Sequence, residues 1–379
     1  MIFILHFLYI CNVKTIKMYT EILRIIEGGL NKDLKKINNY SRILAEKFEK
    51  EGQPKLAKMI IKTLENKPSS MVTMDSLIST PVDQESRMNI VDIQMPSENN
   101  DDIILSPNIY NKVEDYINLY QHQGELLKNG LEISNSLLLY GVPGSGKTTI
   151  AKYISNKTGL PLITARFDAI VSSLLGNTSK NIRKIFEYAD EKPCILFLDE
   201  FDAIAKARDD QYELGELKRV INSLLQNIDT FSKSNLLIGA TNHPELLDKA
   251  IWRRFNTLIE VGLPNQNEVY KLIETFSKDS NNDFLNDEKK TNKLIQNLEG
   301  KTPSYIKTLF NNVLAQKIIK NKEYLSYEDI LLEIFESKNK EYTIEDIITF
   351  LNENGVSQEK ITQILNISIR QVRNNLKTK

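Results

Sequence analysis

Leu137-Leu138-Leu139-Tyr140, then Gly141-Val142-Pro143-Gly144-Ser145-Gly146-Lys147-Thr148, then the stretch Thr149–Lys157: on these residues the reading of the chain turns. The apolar run predicts a strand, the eight residues after it match G-x-x-x-x-G-K-[ST] in full, and the following segment predicts a helix. Glycines allow a curvature that a Cβ would block, so that backbone N–H groups converge on phosphate oxygens. The new helix turns unpaired N–H groups and the positive end of its dipole toward the same anion. In this pattern Lys147 reaches the β- and γ-phosphates and the Thr148 hydroxyl ligates Mg²⁺. Gly141, Val142, Pro143, Gly144, Ser145, Gly146 and Thr149 complete the expected nucleotide cradle.

Three further pieces lie downstream. Ile195-Leu196-Phe197-Leu198 predicts a buried strand closed by Asp199 and Glu200, at the strand end where ligands bind in open α/β sheets. Asp199 is expected to hold Mg²⁺ through its water shell, and Glu200 to polarise the attacking water as general base. Leu236-Leu237-Ile238-Gly239-Ala240 predicts another strand, after Thr241, Asn242 closes it, and its amide is placed to hold the same water. Eleven residues on, Trp252-Arg253-Arg254-Phe255 sets two guanidiniums before the last strand. They read either as surface ion pairs or as arginines that neutralise γ-phosphate charge in a neighbouring subunit.

Residues 107–262 alternate short apolar strands with amphipathic helices, which predicts an α/β fold with a parallel sheet covered on both faces. The strands are expected at Leu137–Tyr140, Leu160–Arg166, Cys194–Asp199, Leu236–Ala240 and Leu258–Val261. Residues 263–338 turn helical, and 339–379 read as three short helices. Upstream, 18–66 form a helical segment with Leu30, Leu34, Ile37, Leu44 and Phe48 on one face. Residues 67–106 lose all periodicity and carry seven acidic against two basic side chains, an acidic flexible linker with some order at Ile90–Ile93.

Composition excludes several classes. The chain has 379 residues, 41% hydrophobic and 26% charged, with too few Gly (15) and Pro (11) for a collagen-like or wholly disordered protein. A net charge of −1 argues for neither nucleic acid nor an acidic membrane. Cys11 and Cys194 with three His build no disulfide scaffold, which fits a reducing, cytoplasmic setting. The apolar run Met1–Ile10 is too short to span a bilayer, so no stable membrane insertion is expected, and Met18 reads as the natural start.

Taken in order, these pieces resemble an AAA-type P-loop ATPase of the AAA clade, with its second region of homology, over roughly residues 107–335. The likeness is carried by Gly141–Thr149, Ile195–Glu200, Gly239-Ala240-Thr241-Asn242-His243-Pro244-Glu245-Leu246-Leu247-Asp248 and Ala250–Phe255. It implies Mg²⁺-dependent ATP hydrolysis in a homo-oligomeric ring, usually a hexamer, that remodels or threads a protein substrate, in some relatives for a partner protease. It also implies that 263–338 form the helical lid, that Asn242 is sensor 1, and that Arg254 matches the arginine of the G-R-F signature with Arg253 as second finger. Ser173-Leu174-Leu175-Gly176 takes the place of the pore loop, with Leu174 where an aromatic is usual. Lys206–Gln211 reads as a second pore loop or a solvated charge run, and Thr302–Ile306 stands where a sensor 2 motif begins, without a clear arginine. Ile109 and Tyr110 are expected near the base of the nucleotide.

Residues 356–379 resemble a helix-turn-helix, with Ile361, Ile364, Leu365, Val372 and Leu376 inward and Ser368 as N-cap. Arg370, Arg373 and Lys377 share one outer face. That face suits DNA phosphates or a docking protein equally, so a DNA-tethered ATPase switch and a nucleotide-controlled scaffold stand beside protein remodelling.

Overall fold

The computed structural model describes residues 21–26, 34–50, 53–65, 81, 89–97, 103–131, 134–167, 175–202, 214–231, 235–278, 280–338 and 341–377. The chain divides into two compact units, Met1–Thr73 and Met74–Lys379.

In the first unit, helices Leu34–Lys50 and Pro54–Glu65 pack on each other, and Leu44, Ala45 and Ala57 are buried. Lys47 donates to Glu21 at 2.7 Å, tying the helix at residues 21–26 to this pair. Leu30 and the Met1–Ile10 run lie outside the described residues.

The second unit is built on a six-stranded sheet of order β1-β3-β4-β5-β2-β6. Its strands are β1 Val91–Gln94, β2 Ser136–Tyr140, β3 Leu162–Ala165, β4 Ile195–Leu198, β5 Leu236–Thr241 and β6 Thr257–Glu260. All neighbours are parallel except β1, which pairs antiparallel with β3 from Val91 opposite Ala165 to Gln94 opposite Leu162. The stretch read as a linker therefore supplies an edge strand. Only four residues enter it, too few for a sequence pattern to separate from irregular chain.

The central strands β2, β4 and β5 are buried on both faces, which is why they read as continuous apolar runs. One face packs on helices Pro107–Gln121 and Lys147–Thr158 through Val113, Tyr116, Ile117, Ile150 and Ile154. Helices Leu175–Asp190 and Leu214–Thr230 pack on each other, with Ile182, Phe186, Val220 and Leu224 buried.

Beyond β6 come helices Gln266–Ser277, Glu288–Leu298, Pro303–Ile319 and Tyr327–Lys338, then Ile344–Glu353, Gln358–Leu365 and Ile369–Lys377. These seven share one core. Ile348, Leu351, Val356, Ile361 and Val372 are buried in the same cluster as Leu294, Phe310, Tyr327 and Ile334. Tyr327 donates its hydroxyl to the Asn354 carbonyl at 2.8 Å. The last three helices therefore continue the hydrophobic core of the four before them. Among the described residues no helix is long and apolar enough to cross a membrane.

Candidate active site

The glycine loop joins β2 to helix Lys147–Thr158. Gly141 has φ 145°, and a Cβ there would lie 2.2 Å from the Val261 carbonyl oxygen, so only glycine fits. Gly146 caps the helix without a side-chain hydrogen bond, which leaves the first-turn N–H groups for an anion. Ser145 Oγ is buried with no hydrogen-bond partner. Lys147 is buried, and its ammonium donates to the loop's own carbonyls, Gly141 at 2.8 Å and Val142 at 3.0 Å. An unpaired hydroxyl, uncapped N–H groups and a lysine on the same loop are the donor set a phosphate chain needs, so these residues fit a nucleotide. Val142, Pro143, Thr148 and Thr149 lie on the exposed side of the loop and helix start.

Thr148 Oγ1 donates to Asp199 Oδ2 at 3.1 Å, which brings the two expected Mg²⁺ ligands together. Burial holds the Asp199 carboxyl above the usual carboxylate range, against the Thr148 hydroxyl that pulls it down. Burial also draws Lys147 below the ordinary lysine value, while Asp199, Asp202 and Glu200 pull the other way. A hydroxyl beside a desolvated carboxylate is an all-oxygen pair suited to a hard cation, whose charge would favour the ionised Asp199.

Glu200 sits just past β4 with φ 49°, a left-handed conformation rare outside glycine. Asn242 Nδ2 donates to Glu200 Oε1 at 3.2 Å, so the residue closing β5 holds the carboxylate expected to act as base. Asp202 is a residue that sequence reasoning missed. It is buried, and accepts from Thr241 Oγ1 at 3.0 Å and from the Asn242 backbone N–H at 3.3 Å. Its signal was available as the third carboxylate of Asp199-Glu200-Phe201-Asp202.

The helices beyond β6 meet the loop directly. The Ser304 N–H, at the start of helix Pro303–Ile319, donates to the Gly144 carbonyl at 3.2 Å. Thr302 caps that helix by accepting from Tyr305 N–H, and Lys307 is exposed on it. Tyr110 is partly exposed beside Tyr153, whose hydroxyl donates to Glu114 at 2.7 Å.

A family model described as "ATPase family associated with various cellular activities (AAA)" matches residues 137–263, which hold the loop, β4, β5 and the arginine pair. The chain carries an AAA ATPase domain. An AAA family ATPase of Sinorhizobium fredii is 39% identical over 220 residues, covering 57% of this chain and 66% of that protein. A 26S proteasome regulatory subunit homolog of Methanocaldococcus jannaschii is 33% identical over 199 residues, 52% of this chain and 53% of its own. The peroxisomal ATPase PEX6 of Dictyostelium discoideum is 31% identical over 211 residues, 54% of this chain but 17% of its own. The chain thus spans less than two thirds of each of these relatives.

The two arginines of the AAA domain fare differently. Arg254 is held inside its own chain by Asp229, whereas Arg253 is exposed. Leu174 and Lys206–Gln211 lie outside the described residues, and Leu175 and Gly176 begin helix Leu175–Asp190.

Proposed function

We propose that the chain is a Mg²⁺-dependent ATPase that works as a ring oligomer, a hexamer on the family pattern, and remodels or threads a protein substrate. The observation that carries this reading is the meeting of two pairs, Thr148 with Asp199 and Glu200 with Asn242, at adjoining strand ends beside the glycine loop. In this reading Lys147 exchanges its loop carbonyls for phosphate oxygens. Thr148 and Asp199 hold Mg²⁺, which when bound neutralises charge on the phosphates. Glu200, steadied by Asn242, orients a water and takes its proton, and the γ-phosphoryl passes to that water to leave ADP and phosphate. Protein remodelling is supported by the likeness to a proteasome regulatory subunit homolog and a peroxisomal ATPase. Leu174 with Leu175 and Gly176 is the segment proposed to grip the polypeptide. The test is ATP turnover by the purified chain with and without unfolded protein. Stimulation that disappears with Leu174→Ala supports the reading, and indifference to unfolded protein counts against it.

One observation favours a second reading. Arg370, Arg373 and Lys377 are exposed on helix Ile369–Lys377, which holds no acidic residue and is anchored to the lid core by Val372. A basic face carried by a nucleotide-responsive lid suits a DNA-tethered switch. Turnover stimulated by duplex DNA, and lost on changing Arg370 and Arg373 to Ala, would select it over protein remodelling.

A further inference from the structure

The paired arginines before β6 share a sequence context but not a geometry. Arg254 forms a two-pronged ion pair with Asp229, Nε to Oδ1 at 2.8 Å and Nη2 to Oδ2 at 2.8 Å. Its remaining nitrogen, Nη1, donates to the Ala250 carbonyl at 2.8 Å. Every nitrogen of that guanidinium is therefore occupied within its own protomer, in the fork geometry that makes arginine–carboxylate pairs specific. Its backbone is fixed as well, because the Arg254 carbonyl accepts from Ser136 Oγ at 2.9 Å.

The neighbours are tied down too. Trp252 lies edge-on to Tyr140, the residue that leads into the glycine loop, with centroids 5.1 Å apart. Phe255 is buried against Gly239 of β5 and against Phe201, which follows Glu200. Asn256 donates to the Ser134 carbonyl at 3.1 Å. In this anchored run Arg253 alone is exposed with a side chain that makes no hydrogen bond or ion pair among the described residues.

We infer that Arg253 is the arginine offered to a neighbouring protomer, and that Arg254 is a positioning residue which, through Asp229, fixes the segment presenting it. This rests on the ring reading above and departs from treating the two arginines as equal partners in the shared site. Asp229, one residue before the end of helix Leu214–Thr230, thereby becomes a functional residue that acts through Arg254.

The two assignments make opposite predictions for Asp229. If Arg254 acts by positioning, Asp229→Asn lowers kcat about tenfold at unchanged KM, Arg254→Ala does the same, and the double variant is no slower than either alone. Arg253→Ala loses about a thousandfold in kcat, keeps its nucleotide affinity, and regains activity when mixed with Glu200→Gln subunits. Arg254→Lys, which keeps the charge but not the fork, falls between wild type and Arg254→Ala, and thermal unfolding checks that each variant is folded. If Arg254 instead swings out to a neighbour's phosphates, Asp229→Asn leaves kcat unchanged or raises it, and Arg254→Ala falls as far as Arg253→Ala. That result overturns the assignment while the ring stands. A wild-type chain that neither assembles nor turns over ATP overturns the ring reading itself.

Discussion

Glu200 is a non-glycine residue at φ 49° whose carboxylate is held by one amide, Asn242, at 3.2 Å. In its proposed role as base Glu200 depends on this partner for direction, and Asn242 in turn is held by Asp202, which accepts from its backbone. Asn242→Ala is therefore expected to leave nucleotide affinity within about threefold while lowering kcat about a hundredfold, the range for a misdirected general base. Steady-state kinetics beside equilibrium binding of ATP checks this, and a change confined to KM would contradict it. Gly239 offers a packing test: a Cβ there would lie 2.9 Å from Phe255 and 3.0 Å from Phe201. Gly239→Ala should cost about 1–3 kcal/mol by overpacking, read as a lowered midpoint in denaturant titration. At the base of β4, Cys194 is buried and donates to the Ala189 carbonyl, and burial pushes its thiol up to about 12. Thiol reagents at pH 8 should modify it only as fast as the domain opens, so rapid labelling mapped to Cys194 itself, rather than to Cys11, would contradict its placement.

At the scale of elements, the final three helices share the core of the four that precede them. Ile348, Leu351 and Val372 are buried in one cluster with Leu294, Phe310 and Ile334, and Phe335 lies near both Tyr342 and Phe350, with ring centroids 5.2 and 5.1 Å away. Leu351→Ala should cost about 2–5 kcal/mol and lower the unfolding midpoint of all seven helices rather than fray the end of the chain. Hydrogen exchange resolved by segment separates these outcomes: loss of protection confined to residues 344–377 would contradict a shared core. Sequence periodicity found these helices but could not tell which neighbour their apolar stripes cover. A stripe such as Ile361 and Ile364 looks the same whether it closes a small bundle or extends a larger one. The same limit applies to β1, where four residues acquire a strand's identity only from their partner Ala165–Leu162.

For the whole molecule, the sheet and the glycine loop were readable because their physics is local. Both-face burial writes continuous apolar runs at β2, β4 and β5, and a phosphate cradle needs glycines at fixed spacing before a helix. Strand bounds moved by a residue or two, as from Leu160–Arg166 to Leu162–Ala165. The pairing of Arg254 with Asp229 was not readable, since the two lie 25 residues apart with the whole of β5 between them. The ring claim can be checked directly through the mass of the Glu200→Gln chain with ATP and Mg²⁺, alongside phosphate release by wild type. The expected result is a ring-sized species for the variant that needs nucleotide to persist, and steady phosphate release by wild type that the variant lacks. A monomer at saturating nucleotide, with no phosphate released by wild type, would contradict it.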